Sequence, residues 1–247
     1  MTTLVLVHGV GLDRHMWAPF AAALGQPVVT YDMLGLGEAP KPPGPYSLRM
    51  YAEQLRQVLT DLGGEAVDVV GFSMGALVAQ RFAVDHPRLV RRMVLVSGVF
   101  NRTADERAAI VTRVAEVRNG AYLHSVEPAL ERWFTPEFAA RHPEVVQTVR
   151  ERMLANDVRP YADAYEVFAT GDEQLVPLVP RITAPTLVIT GADDQRSTPL
   201  MAEQLAAALP HGRAAVVPGV RHLLPLEQPD TLAALVRDFL HEPEEAQ

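Results

Sequence analysis

The chain contains no cysteine, so disulfides, thiolate nucleophiles and thiolate metal ligands are all excluded. It lacks a long apolar run as well: none approaches the ~20 residues needed to cross a bilayer, and no membrane partner is expected. The N-terminal stretch MTTLVLVHG has no basic region and only a short apolar run, so it does not read as a signal peptide; a cytoplasmic location is the expectation. Positive charge is scarce. With 22 Lys and Arg against 30 Asp and Glu the net charge is −8, which argues against nucleic acid as a partner, because such a partner requires a basic stripe to replace its counterions. No H-E-x-x-H motif and no carboxylate-rich ligand cluster is present, so neither a metal nor any other cofactor is expected. Repeats and low-complexity tracts are missing too, apart from a short acidic tail, EPEEAQ from Glu242, expected to fray.

What is present suits one large globular unit. The 247 residues can bury a substantial core, and 48% apolar with 21% charged residues is ordinary for a folded protein. Short β-branched runs recur: TLVLV from Thr3, PVVTY from Pro27, VDVVGF from Val67, RMVLVS from Arg92, TLVIT from Thr186 and AAVVP from Ala214. None alternates with polar residues, the pattern of strands buried on both faces of a parallel sheet. Helical patterns lie between them. In SLRMYAEQLRQVLTDLG, the residues Leu48, Tyr51, Leu55, Val58, Leu59 and Leu62 share one face, with Gly63 as a stop; Leu232, Leu235, Val236, Phe239 and Leu240 do the same near the C-terminus. Strand–helix alternation implies right-handed βαβ units and an open sheet covered on both sides. The interval from Arg92 to Thr186 is more than twice any other between strands, too long for one crossover. Its charged, helical character from about Asn101 to Ile182 predicts an inserted helical segment. The expected division is a core of residues 1–100 and 183–247 with a cap insertion at 101–182.

In such sheets the working residues sit on loops at the carboxyl ends of strands. After the third strand comes GFSMG, Gly71 to Gly75, followed by the apolar helix ALVAQRFAVDHP. A serine capping a helix between incidental glycines would give the same letters. The strand before and the buried helix after favour a sharp turn that presents Ser73, with glycines relieving the crowded backbone. After the first strand, HGVG aims N–H groups above the sheet, and that of Val10 pairs with that of Met74 as the expected oxyanion hole. After the last strand, His222 stands on the same rim as Ser73, suited to take a proton near neutral pH. The loop after RMVLVS contains no acid, so the carboxylate that orients the histidine must be Asp193 or Asp194.

With these residues in hand, the sequence resembles the α/β-hydrolase superfamily, through HGVGLDRHMW, YDMLGLGEAP, GFSMG, GADD and GVRH, spread over nearly the whole chain. The order Ser73, acid, His222 is that of the family. The resemblance implies an acid three residues after Gly191, which is Asp194, and it supplies the cap reading of residues 101–182. It also implies a sheet of about six strands, because the family's N-terminal hairpin has no counterpart before His8. Within the superfamily the chain looks most like 3-oxoadipate enol-lactonases and small esterases, through PPGPYSL, FSMG, LERWFTPEF and LLPLEQPDTL. Gly75 is followed by Ala76 where many relatives have a second glycine. Dehalogenases and epoxide hydrolases carry aspartate where Ser73 stands, and carbon–carbon bond hydrolases usually have tryptophan where Leu223 stands. Cofactor-free haloperoxidases or perhydrolases share the triad, as do amide and enamide hydrolases, and a ligand-binding receptor on the same scaffold is the non-enzyme alternative.

The expected activity is acyl transfer through a serine ester on a small ester or lactone substrate. An enol-lactone of the kind implied bears a carboxylate, which in a chain of net charge −8 needs a local cation. Arg132 beside Trp133 is the candidate, since a guanidinium grips carboxylate with two donors; an arginine on a helix is otherwise ordinarily solvated. Trp133, Phe134 and Phe138 are expected chiefly to pack the cap, with Trp133 also a candidate substrate contact beside Arg132. Capped relatives of this size often pair, so a homodimer is among the expected assemblies.

Overall fold

A computed structural model describes residues 2–242; all of the acidic tail beyond Glu242 lies outside the described residues. Six parallel strands form one sheet: β1 (Leu4–Val7), β2 (Val29–Thr30), β3 (Val67–Phe72), β4 (Val90–Val96), β5 (Thr186–Gly191) and β6 (Gly212–Val217). Their order is β2-β1-β3-β4-β5-β6, every neighbouring pair parallel. The chain leaves β1 toward one edge and then crosses back to β3, so β1 and β3 flank the switch point where an open sheet forms its crevice.

Eleven α-helices are described. Three, α1 (Ala18–Leu24), α2 (Leu48–Asp61) and α3 (Met74–Asp85), precede β4. Five fill the long interval before β5: α4 (Ala104–Glu116), α5 (Tyr122–Trp133), α6 (Pro136–Arg141), α7 (Pro143–Leu154) and α8 (Val158–Leu175). The last three are α9 (Pro199–Ala208), α10 (Leu224–Glu227) and α11 (Pro229–His241).

Successive strand side chains point to opposite faces, and this divides the core. Val5, Val7, Val69, Met93, Leu95 and Val188 pack with Tyr51, Leu55, Leu77, Phe82 and Leu205 from α2, α3 and α9. Leu4, Leu6, Val70, Phe72, Val94 and Ile189 pack with Phe20, Leu232, Val236 and Phe239 from α1 and α11. The inserted helices share both clusters: Tyr161, Ala164 and Val167 of α8 join the first, and Val126, Leu130 and Met153 of α5 and α7 join the second.

Two expectations need correction. β6 is not buried on both faces; it is an edge strand, with Ala214 and Val216 exposed, because among the described residues no further strand pairs with its outer side. On α2, Ser47 caps the N-terminus by accepting from Met50 N–H, and Leu48, Tyr51, Leu55 and Leu59 are buried as the period requires. Leu62, however, is already past the last helical turn and exposed, so the apolar stripe outruns the helix by one residue.

Candidate active site

The turn after β3 is built by steric necessity. Ser73 has φ 52° and ψ −112°, a backbone region that costs a non-glycine residue ~1–3 kcal/mol. A Cβ on Gly71 would lie 2.3 Å from the carbonyl oxygen of Gly75, and one on Gly75 would lie 2.2 Å from that of Val7. Neither position tolerates a side chain, because the strand, the turn and the start of α3 are pressed together. Ser73 occupies the capping position of α3, yet its hydroxyl makes no capping bond. It lies instead 3.2 Å from His222 Nε2.

His222 enters from the loop after β6. Its Nδ1 is 2.7 Å from Asp194 Oδ2. Ser73, Asp194 and His222 are 4%, 4% and 7% exposed, so their mutual hydrogen bonds meet little competition from water. Asp194 is held from behind, its Oδ1 accepting from the N–H groups of Arg196 and Ser197 at 2.9 and 3.0 Å. Asp193 is exposed, and its N–H donates to Val220 O at 3.1 Å, which turns its side chain out of the group. Gly191 allows this loop to close on the histidine loop, because a Cβ there would lie 2.3 Å from Val220 O. Thr198 rather than Ser197 caps α9, accepting from Met201 N–H.

The histidine loop is tied to the segment between α5 and α6. His222 N–H and Leu223 N–H both donate to Trp133 O, at 3.1 and 3.2 Å. Arg221 Nη1 donates to the carbonyls of Glu131 and Phe134. Thr135 donates its N–H and Oγ1–H to the Glu227 carboxylate, which burial raises above its usual range despite those bonds. The Trp133 ring sits 5.9 Å from the His222 ring, tilted by 31°. Ser97 Oγ donates to His222 O at 3.0 Å, a support that no sequence signal announced.

The loop after β1 is anchored by His8. Met33 N–H can only donate, so His8 Nε2 must accept it, at 2.8 Å, and the ring proton then sits on Nδ1 and donates to Gly9 O. Full burial pushes this imidazole below its usual range, which suits the neutral form that the pattern requires. His8 is thereby a structural bridge between two loops, a role not read from the sequence, although the His-Gly doublet after a strand was its visible trace. Next to it, the Val10 N–H has no partner among the described residues, and the Met74 N–H opens α3, where no carbonyl lies one turn behind it.

A cavity of about 280 Å³ opens above the serine, lined among others by Val10, Ser73, Arg132, Trp133 and His222. Arg132 is half-buried and forms no ion pair among the described residues. Burial lowers its pKa, and the positive charges of Arg113 and Arg196 lower it further. Phe134 and Phe138 do not reach the cavity; they stack on each other 5.5 Å apart, at an interplanar angle of 2°. Arg113 and Arg196, which also line the cavity, were not singled out by sequence: one lies in a charged helix, the other beside two aspartates. Among the described residues no cluster of His, Cys, Asp or Glu has the arrangement of a metal site, and no helix is long and apolar enough to cross a membrane.

A parallel sheet with a strained serine turn at its switch point, facing a histidine on the same rim, defines an α/β hydrolase. Residues 2–229 match the family described as alpha/beta hydrolase fold, and the chain belongs to that family. Among its relatives is (E)-2-((N-methylformamido)methylene)succinate hydrolase of Acinetobacter baylyi, 30% identical over 96% of this chain and 89% of the relative. Another is 3-oxoadipate enol-lactonase 2 of the same organism, 27% identical over 92% and 84%. Among solved structures, the enol-lactonase of Burkholderia xenovorans superposes with a TM-score of 0.89 at 30% identity, covering 98% of this chain and 92% of that one. The chain is therefore an enol-lactonase-like member of a family of hydrolytic enzymes.

Proposed function

We propose that the chain hydrolyses an ester or lactone bearing a carboxylate, through an acyl-enzyme on Ser73. One observation carries this reading: Ser73 Oγ, His222 and Asp194 form an unbroken hydrogen-bonded relay at 3.2 and 2.7 Å, opening onto a cavity that also holds the unpaired Arg132. In the proposed cycle His222 Nε2 takes the Ser73 proton as Oγ attacks the carbonyl carbon. Asp194 fixes the proton on Nδ1 and stabilises the imidazolium, while the N–H groups of Val10 and Met74 receive the negative oxygen. His222 then protonates the leaving alkoxide or enolate. It next activates a water that displaces Ser73 and releases the acid. Arg132 would grip the substrate carboxylate, and Trp133 would cover the histidine.

The test uses p-nitrophenyl esters and a panel of neutral and anionic lactones. Ser73→Ala should lower kcat by ~10⁴–10⁶-fold. Arg132→Ala should raise KM for anionic substrates only. Undiminished hydrolysis by Ser73→Ala ends the proposal.

A second reading, cleavage of an amide or enamide C–N bond by the same relay, is favoured by the A. baylyi relative, whose name describes a formamido substrate. Enamides included in the panel decide between the two by their relative kcat/KM.

A further inference from the structure

Four arginines line the cavity beside Ser73: Arg102, which is ion-paired, and three from different elements that are not, Arg113 on α4, Arg132 on α5, and Arg196 in the loop that carries Asp194. Several other arginines of this helical region are ion-paired, whereas Arg141, Arg159 and Arg181 form no ion pair among the described residues but do not line the cavity. Arg102 is bound to Asp172 at 2.8 Å, Arg118 to Asp163 and Glu166, and Arg150 to Glu127. Arg113, Arg132 and Arg196 form no ion pair among the described residues, and the charges of Arg113 and Arg196 both act on Arg132, opposed in part by Glu131. Three carboxylates share the cavity wall without pairing with them: Asp194 is engaged by His222 and by two backbone N–H groups. Glu106 is held by Thr103 through its N–H and hydroxyl at 2.8 and 3.0 Å, and Glu116 forms no ion pair.

Unpaired like charges around a half-buried space repel one another, and a counter-charge that enters relieves the repulsion. One carboxylate can satisfy one guanidinium fork. It would leave the other two without a counter-charge. We infer that the cavity takes a dianion: a substrate with two carboxylates, one gripped by Arg132 and the second held between Arg113 and Arg196. This rests on the cavity being the substrate site of a Ser73 hydrolase. It assigns Arg113 and Arg196 to specificity, since a monocarboxylate leaves their charges unanswered. It also accounts for how a chain of net charge −8 admits a doubly negative ligand, through a local field opposite to the global one.

The test is calorimetric, on the 247-residue Ser73→Ala chain at low ionic strength, with succinate, glutarate, butyrate and inorganic phosphate as probes. The dicarboxylates should bind roughly tenfold or more tightly than butyrate. That preference should collapse toward unity in Arg113→Met and in Arg196→Met, while lysine at either position, a charge without the fork, keeps part of it. Arg132→Met should weaken mono- and dicarboxylates together. Equal binding of succinate, glutarate and butyrate overturns the inference, as does absence of binding by all of them. So does a preference that survives the Arg113→Met/Arg196→Met double variant. Phosphate binding more tightly than either dicarboxylate reassigns the clamp to a phosphoryl group and overturns it as well. Hydrolysis of p-nitrophenyl acetate by the unaltered chain is a separate arm: its absence sinks the serine-hydrolase reading, whereas the calorimetry reads the clamp directly.

Discussion

The Asp194 carboxylate is fixed on one side by two backbone N–H groups before it meets the histidine on the other. A carboxylate so held cannot rotate away, and the imidazole it faces keeps one tautomer and one orientation. Asp193, one residue earlier, has the same chemistry and none of these contacts. Under the proposed mechanism Asp194→Asn should lower kcat by about 10⁴-fold, because the amide would favour the wrong tautomer. Asp193→Asn should change kcat by less than about twofold, as for most exposed substitutions. Steady-state kinetics on one ester checks both, and the reverse ranking would unseat Asp194. From the residues alone the acid was open between the two, and the resemblance pointed to Asp194. The fact that separates them physically is the Asp193 N–H bond to Val220 O, a contact with a strand-end loop distant in sequence.

At the scale of elements, the rim that carries Ser73, Asp194 and His222 is assembled from the ends of β1, β3, β5 and β6, and it is tied to the segment following α5. The two backbone N–H groups at His222 and Leu223 and the Arg221 side chain all close on carbonyls between Glu131 and Phe134. That segment carries Arg132 and Trp133, so the group proposed to read the substrate and the proposed general base move as one piece. Arg221→Met removes two of these ties without touching the cavity lining. It should lower kcat roughly tenfold, within the ~10²-fold that a 1 Å misplacement can cost, with KM for a neutral ester little changed. Arg221→Lys should restore part of the loss. A fall in thermal stability with unchanged kcat would show the tie to be structural only.

For the whole molecule, His8 links stability to pH. It is neutral when folded, because Nε2 must accept from Met33 N–H, and burial holds its pKa below the ordinary value of 6.5. In the unfolded chain it takes up a proton as the pH falls through 6.5. The unfolded state then binds more protons than the folded one, so the contribution is complete above pH 6.5 and is lost below it. Denaturant unfolding from pH 7.5 to 5.5 should show stability falling with a slope approaching ~1.4 kcal/mol per pH unit from this group. His8→Asn should lower stability overall and flatten that slope. An unchanged slope would remove His8 as its source.

The sequence by itself determined the six strands, the helices between them, the long helical interval and the serine turn. These follow from local rules: β-branched runs, a 3.6-residue apolar period, and glycines where no Cβ fits. It also brought out Ser73, His222 and the two-aspartate loop, because in an open parallel sheet strand ends share one rim. Tertiary structure decided that β6 is an exposed edge and that His8 braces the loop carrying Val10, and it supplied the physical reason that Asp194, the residue the resemblance pointed to, rather than Asp193 meets the histidine. It alone set Arg113, Arg132 and Arg196 around one cavity, from α4, α5 and a strand-end loop. The reason is common to all four: each depends on contacts between segments far apart in the chain, and neither composition nor periodicity encodes which distant charges and carbonyls will face one another.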